Sequence, residues 1–185
     1  MKQSRFERAI CFAVNAHAGM TRKGSRTPYI VHPMEAAVIA SSLTEDEDVL
    51  CAAVLHDTVE DTPVTAGELR EEFGERVASL VLFDSENKRE GLPPADTWEL
   101  HKQETLNALS SAGREEQILV LSDKLSNLRS IFRSFLEKVD ALWLAFHQKD
   151  KNKQEWYYRG IAERLTLLRD SSAYREYLSL LDLVF

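Results

Sequence analysis

The chain has 185 residues, of which 44% are hydrophobic and 29% are charged, and its formal net charge is −7. This length predicts one domain over residues 1–185, with the composition of a soluble globular protein. The negative charge argues against a surface for duplex nucleic acid, which would normally be basic. No stretch approaches the roughly 18 apolar residues that suggest a membrane helix. Cys11 and Cys51 lie in apolar helical runs, as expected for core thiols in a reducing compartment. We therefore expect a cytoplasmic protein with no membrane or nucleic-acid partner.

Apolar residues recur mostly at steps of three and four, which predicts an all-α fold of eight or more helices. The first helix covers about residues 4–18, and the second starts near Pro33 and continues to Leu43. The third begins within 44–48 and continues through His56 to about Asp61. A capping box at Thr65 and Glu68 opens the fourth, whose apolar stripe reaches Val81. Later helices are predicted over residues 97–112, 115–135, 138–146, 154–168 and 172–181. Between them, residues 84–96 contain a glycine and two prolines and predict a mobile loop near the site.

Two histidines and two aspartates occur within apolar runs, where their burial would be costly unless something satisfies them. They are His32, His56, Asp57 and Asp123. A single divalent cation would satisfy all four groups at once. Two imidazoles and two carboxylates form a nitrogen and oxygen donor set that suits Mn, Fe, Co or Zn better than a thiolate-type structural site. The sequence therefore predicts a metal-dependent hydrolase.

Two further carboxylates, Glu60 and Asp61, follow the His-Asp pair by one helical turn. A carboxylate just outside the metal ligands can orient or deprotonate the attacking water. Three other histidines are given structural interpretations. His101 and His147 stand in polar segments and are predicted to be solvated, and His17 is predicted to pack or cap at the end of the first helix.

The chemistry-bearing segments form an ordered set of motifs. They are Ala16-His17-x-Gly19, Arg22-Lys23, Pro28-Tyr29-Ile30-x-His32-Pro33, Leu55-His56-Asp57-x-x-Glu60-Asp61-Thr62, Phe73-Gly74 and Asp123-Lys124-Leu125-x-Asn127-x-Arg129. This set resembles the HD hydrolase domain of the RelA/SpoT homologues, and in particular the single-domain small alarmone hydrolases that include the animal Mesh-type enzymes. The resemblance is strongest over residues 9–130.

The resemblance implies a role for each matching residue. The four predicted ligands would hold one Mn²⁺, and Glu60 and Asp61 would position and activate the water. The residues implied to bind substrate are Arg22, Lys23, Lys102, Asn127 and Tyr157, with Tyr158 one position from the last. The implied reaction removes the 3′-diphosphate of ppGpp or a relative as part of a stringent response, giving GDP and pyrophosphate.

Two alternatives remain at this point. One is a metal-dependent phosphatase on another nucleotide such as NADPH, and the other is a non-catalytic alarmone-binding module. The sequence departs from the family pattern at residues 23–29, which are longer and more basic, and at residues 83–88, which replace a Val-Thr segment. Both segments lie where substrate would be read, so the departures bear on substrate identity. Because all four ligands and both water-side carboxylates are present, we disfavour the non-catalytic module.

Overall fold

The computed structural model describes residues 3–85 and 94–185, with side chains described throughout except at 94–96 and 140. Helices are α1 (Arg5–Ala16), α2 (Val31–Ser41), α3 (Glu47–Leu55), α4 (Thr58–Asp61), α5 (Ala66–Phe73), α6 (Glu75–Asp84), α7 (Pro94–Leu109), α8 (Arg114–Lys138), α9 (Lys151–Arg164) and α10 (Ser172–Val184), with a 3₁₀ segment at Val139–Ala145. These ranges contain no β-strand, only an isolated bridge between Thr21 and Pro28. The predicted all-α class is confirmed. No helix within the described ranges combines the length and apolarity needed to cross a membrane.

The prediction of one uninterrupted helix from 44–48 to Asp61 was wrong. Helix α3 ends at Leu55 and α4 begins at Thr58, so His56 and Asp57 occupy the turn between them. The His56 ring nitrogen Nδ1 donates to the carbonyl of Ala53 over 2.8 Å, and Thr58 Oγ1 donates to the carbonyl of Leu55 over 2.6 Å. These side chains bond to carbonyls that a continuing helix would pair with its own backbone. The break sets the direction of the His-Asp pair.

The capping box at Thr65 and Glu68 is confirmed, but the helix that it opens is shorter than predicted. Gly74 has φ +91°, a conformation that L side chains rarely adopt, and it divides the stripe into α5 and α6. The predicted helix over residues 138–146 is a 3₁₀ segment. Of the predicted loop at 84–96, Asp84 ends α6 and the stretch from Pro94 belongs to α7. Residues 86–93 lie outside the described part.

Helices α3 and α8 form the centre of the domain. Helix α8 contacts α2, α3, α6 and α10, and the segment from Cys51 to Leu55 in α3 is fully buried. Burying each leucine or valine there stabilises the fold by about 1.5–3 kcal/mol relative to exposure. Helix α1 buries Ala9 and Ala13 instead of Cys11, which is exposed, so the core assignment holds for Cys51 only. Helix α8, the turn after α3 and the first turn of α2 carry the polar groups described next.

Candidate metal centre

The four predicted ligands converge at one point in the interior. His32 comes from the first turn of α2, His56 and Asp57 from the α3–α4 turn, and Asp123 from α8. His32 Nε2 lies 3.1 Å from Asp123 Oδ1 and 3.4 Å from Asp57 Oδ2. His56 Nε2 lies 3.1 Å from Asp57 Oδ2 and 3.6 Å from Asp123 Oδ1. Elements far apart in the chain thus place two imidazole nitrogens and two carboxylate oxygens around one centre.

The donor set fits a divalent cation. The carbonyl of Ala53 can only accept a hydrogen bond, so Nδ1 of His56 carries a proton, and in the neutral ring that binds a metal Nε2 presents its lone pair to the centre. Nε2 of His32 faces the same centre, and both rings are at most 3% exposed. Lone pairs and carboxylate oxygens that meet away from water are stabilised by a positive charge between them. Two imidazole nitrogens and two carboxylate oxygens form a donor set of the kind that binds Mn, Fe, Co or Zn.

Electrostatics at the centre favour positive charge. Burial alone would lower the pKa of His56, but the neighbouring carboxylates of Asp57 and Asp123 outweigh it and hold that pKa well above its ordinary value. Burial would likewise raise the pKa of Asp57, yet His56 and His32 hold it well below the usual range. The aspartates are therefore ionised at neutral pH, and the site attracts either a proton or a metal ion.

Asp123 also forms contacts with residues outside the four-residue centre. Its carboxylate contacts the Lys124 ammonium, and Asn127 Nδ2 donates to Asp123 Oδ1 over 2.6 Å. Burial opposes ionisation of Asp123, but Lys124 and the two neighbouring histidines hold its pKa well below the usual range. The Oδ1 atom of Asn127 then accepts from Arg22 Nη2 over 2.7 Å. Two residues predicted separately to bind substrate are thus joined to a predicted ligand.

Tyr29 is a site residue that the sequence reasoning did not assign. Its hydroxyl lies 2.7 Å from Asp57 Oδ2 and 2.9 Å from Asp61 Oδ2, so it links a predicted ligand to a predicted catalytic carboxylate. Burial, and then the charges of these two aspartates, raises the pKa of Tyr29, which keeps the phenol a donor. Its ring stacks on His17, and the Arg22 guanidinium lies 5.5 Å from the ring centroid. The sequence feature that could have indicated a role for Tyr29 in the site is its position three residues before His32 in the same motif.

An open cleft of about 760 Å³ begins at this centre. The predicted residues that line it are Arg22, Lys23, His32, Asp57, Glu60, Asp61, Lys102, Asp123, Asn127 and Tyr157. His56 does not line the cleft and is buried against His32. The fold therefore gathers three of the four predicted ligands, the water-side carboxylates and the predicted substrate residues around one cavity, with His56 buried behind His32.

Aromatic rings also line the cleft, and Lys102 lies close to two of them. The Lys102 ammonium lies 4.7 Å from the ring centroid of Tyr157 and 6.0 Å from that of Trp98. The Tyr157 hydroxyl is buried and has no hydrogen-bond partner in the described part of the chain. This favours Tyr157 over Tyr158 as the tyrosine that meets a ligand. Trp98 was not predicted, and no motif marked it.

Asp84 was placed by the sequence at the start of the predicted loop, yet it lies beside the centre. It can offer a carboxylate oxygen within 4.8 Å of ligand atoms of both His56 and Asp123. Its Oδ1 is buried without a hydrogen-bond partner among described groups, and burial raises its pKa. No sequence motif pointed to it.

The other histidines are distributed differently from the prediction. His101 is only 8% exposed, so its assignment as solvated was wrong; α7 turns it inward to line the cleft. His147 is exposed, as predicted. His17 packs as predicted, because it is buried, caps α1 and stacks on Tyr29 with ring centroids 5.0 Å apart.

Comparison with known proteins shows which family has this architecture. The family model described as "HD domain" matches residues 9–141. The guanosine-3′,5′-bis(diphosphate) 3′-pyrophosphohydrolase of Aquifex aeolicus is 36% identical over 131 residues, which are 68% of this chain and 18% of that protein. MESH1 of Danio rerio, which bears the same enzyme name, is 39% identical over 127 residues, 67% of each chain. The chain thus spans less than a fifth of the Aquifex relative and two thirds of the zebrafish one.

Two solved structures share the fold. A metazoan ortholog of SpoT that hydrolyses ppGpp superposes with a TM-score of 0.77 at 21% identity, over 98% of this chain and 96% of that one. The crystal structure of lmo0812 from Listeria monocytogenes gives a TM-score of 0.72 at 32% identity, over 83% and 98% of the two chains. From the family match and the zebrafish relative together, the chain belongs to the HD domain family and is a homologue of the SpoT-like and MESH1 hydrolases.

Proposed function

We propose that this protein is a metal-dependent pyrophosphohydrolase that removes the 3′-diphosphate from ppGpp or a related alarmone, giving GDP and pyrophosphate. The observation that supports the proposal is the hydrogen-bonded connection from Arg22 through Asn127 to Asp123, because it brings the Arg22 cation close to the candidate metal centre. The names of the Aquifex and zebrafish relatives support the substrate class.

We assign the metal to His32, His56, Asp57 and Asp123, and we name Mn²⁺ as the ion. When bound, it would lower the pKa of a water molecule, polarise a phosphoryl oxygen and neutralise charge. Four protein ligands leave coordination positions open for water and substrate. The Mn²⁺ assignment is tested by comparing it with Zn²⁺, Co²⁺ and Fe²⁺ after chelation.

In the proposed reaction, Glu60 and Asp61 orient the attacking water and accept its proton. Tyr29 holds Asp61 by donating to it, which fixes where that carboxylate points. The water oxygen joins the phosphorus bonded to O3′, the bond between that phosphorus and O3′ breaks, and O3′ ends protonated. The reaction consumes one water and yields GDP and pyrophosphate.

The cations of the cleft bind the nucleotide. Arg22 offers a planar face for the purine and a positive charge, which Lys23 and Lys102 supplement towards ribose or phosphate. Asn127 orients Arg22, and Tyr157, which lines the same cleft, presents a buried hydroxyl. The position of all these residues around one cavity supports the proposed roles.

The test is an activity panel with ppGpp, pppGpp, ppApp and NADPH, using chelated protein with added Mn²⁺ and ion-exchange separation of products. We expect GDP and pyrophosphate from ppGpp. Orthophosphate release from NADPH with no turnover of any alarmone would instead support the phosphatase interpretation. Tight binding of ppGpp without turnover would support the binding module.

We also propose, from composition, that residues 1–185 act as one domain on a free nucleotide in the cytoplasm. Fractionation of the native host cell with an antibody to the protein tests the location. Recovery of the protein in the membrane fraction would contradict it.

A further inference from the structure

A chain of hydrogen bonds leads from the back of His32 to the C-terminal helix. His32 Nδ1 lies 2.8 Å from Ser126 Oγ, and Ser126 donates to Glu35 Oε2 over 2.7 Å. Arg129 Nη1 donates to the other oxygen of Glu35 over 3.2 Å. Arg129 also makes a two-pronged ion pair with Glu176 of α10, with distances of 2.6 and 2.8 Å. The path crosses α2, α8 and α10.

The direction of each hydrogen bond follows from the chemistry of the groups. An ionised carboxylate only accepts, so the single hydroxyl hydrogen of Ser126 is committed to Glu35. Ser126 must then accept from His32, which places the imidazole proton on Nδ1. In the neutral imidazole, Nε2 is then left with its lone pair towards the candidate metal centre. His32 thereby has the same tautomer as His56, whose Nδ1 donates to the carbonyl of Ala53.

Glu35 accepts at both of its carboxylate oxygens, from Ser126 at one and from Arg129 at the other. Hydrogen bonds that Arg129 donates to Glu176, and with smaller weight to Glu35, raise the pKa of Arg129, which therefore stays protonated. Burial decreases along the path, because Ser126 is 1% exposed whereas the side chains of Glu35, Arg129 and Glu176 are 23%, 30% and 41% exposed. Links nearer the ligand are screened less by solvent and should matter more.

From these contacts we propose that Ser126, Glu35, Arg129 and Glu176 are positioning residues that fix the tautomer and orientation of His32 and tie the metal centre to α10. The proposal rests on the proposed metal site. It extends the site beyond the HD domain match, which ends at residue 141, because Glu176 lies outside it. Ser126 follows Asp123 by three positions on α8, so one helical face supplies both a ligand and the group that orients another ligand.

The first experiment compares metal affinity of Ser126→Ala, Ser126→Thr, Glu35→Gln and Glu176→Gln by competition with a chelating dye. Losing the partner of a metal-binding histidine typically weakens metal affinity by about 10–100-fold, which we expect for Ser126→Ala. Glu35→Gln should show a smaller loss, and Glu176→Gln only a few-fold loss because that link is partly exposed. Ser126→Thr keeps the hydroxyl and should recover most of the affinity.

Ser122→Ala is the matched control. Ser122 is also buried on α8, one turn earlier, but its hydroxyl donates to the carbonyl of Ile118 within its own helix. It should therefore bind metal as the wild type does. Wild-type affinity in both Ser126→Ala and Glu35→Gln would overturn the proposal. If Ser126→Ala does not fold, as judged by circular dichroism, Glu35→Gln keeps the side-chain shape and decides alone.

The second experiment reads the tautomer directly. In protein loaded with diamagnetic Zn²⁺, ¹⁵N chemical shifts should show His32 protonated at Nδ1 and coordinated through Nε2. In Ser126→Ala we expect exchange broadening or a mixture of tautomers at His32, with His56 unchanged. An unaltered His32 signal would contradict the positioning role. Absence of alarmone turnover in the wild type would overturn the proposed substrate and leave both metal readouts intact.

Discussion

The Nε2 atoms of His32 and His56 lie 3.1 Å apart, and each presents a lone pair at that position when the ring is neutral and its one proton is on Nδ1. Two lone pairs facing each other repel, and the oxygens of Asp57 and Asp123 close the same space. A cation between them turns this repulsion into coordination. The metal prediction follows from this geometry.

We expect one tightly held divalent ion per chain in the wild type and none in the His56→Ala, Asp57→Ala double variant. Asp57→Ala alone should abolish hydrolysis while the helical circular dichroism stays close to that of the wild type. Elemental analysis after dialysis measures the metal. His147→Ala, which removes an exposed histidine, is the control that should keep the ion. Full occupancy in the double variant would refute the ligand assignment.

Replacing Glu60 and Asp61 together by Gln and Asn should lower kcat on the order of 10²–10⁴-fold, the usual contribution of a general base. Metal content should stay at the wild-type level, because neither residue is assigned as a ligand. Steady-state kinetics and elemental analysis on the same preparation separate the two effects. Glu71→Gln changes an exposed carboxylate on α5 and should leave kcat unchanged. Near-normal turnover in the double amide variant would rule out the catalytic role.

Arg22→Lys should raise KM for ppGpp by about tenfold, because an ammonium cannot reproduce the planar fork that Arg22 offers to a base or phosphate. The variant also weakens the link to Asn127, which accepts from Arg22 over 2.7 Å. A generic chromogenic phosphate ester should be affected less, since it has no purine. Arg26→Lys, on the same loop and exposed, is the control. Equal kinetics for Arg22→Lys and the wild type on ppGpp would contradict the assignment.

The two cysteines should differ sharply in reactivity. Burial raises the pKa of the Cys51 thiol to about 11, whereas Cys11 is exposed. The thiolate is the reactive form, so iodoacetamide at pH 8 should label Cys11 alone in the folded protein and both residues in denaturant. Peptide mass mapping measures the labelling. Comparable rates for the two residues in the folded state would show that Cys51 is not enclosed as described.

Asp46 provides a test of stability against pH. Hydrogen bonds from Arg76, at 2.7 Å between Nη2 and Oδ2, lower the pKa of Asp46 below its ordinary value of 3.8. A lowered folded-state pKa stabilises the fold above the unfolded value, and this contribution is lost as the pH falls through the folded value. Asp46→Asn should therefore reduce the free energy of unfolding at pH 6 by about 0.5 kcal/mol, a value typical of an exposed ion pair.

Asparagine can still accept the N-cap bond from the Asp48 amide, so the variant removes charge while keeping the cap. As the pH falls below 3.8 through the lowered pKa, the wild-type side chain becomes neutral as well and the difference should vanish. Urea unfolding at pH 6 and at progressively lower pH measures both quantities. A stability difference that persists at the acidic end would show that the charge of Asp46 is not its cause.

Patterns within a few positions of one another were readable from the sequence. The periodicity of apolar residues predicted the helices, and Thr65 with Glu68 predicted a capping box that the structure contains. The cost of burying His56, Asp57 and Asp123 among apolar residues pointed to a single centre, because that cost is a property of the local run. Such local relations repeat with the helical period and need no knowledge of neighbouring elements.

Tertiary structure alone decided the relations between distant residues. Tyr29 reaches Asp61 across 32 positions, and Ser126 reaches His32 across 94, which no periodicity encodes. The break at His56 arose because side-chain donors took the carbonyls of the preceding turn, and Cys11 became exposed because α1 turned a different face to α3. Residue type and spacing determined which groups could do chemistry. The packing of α2, α8 and α10 decided which of these groups come into contact and which ring nitrogen carries the proton. Packing is a property of the whole chain, so local sequence patterns do not reveal it.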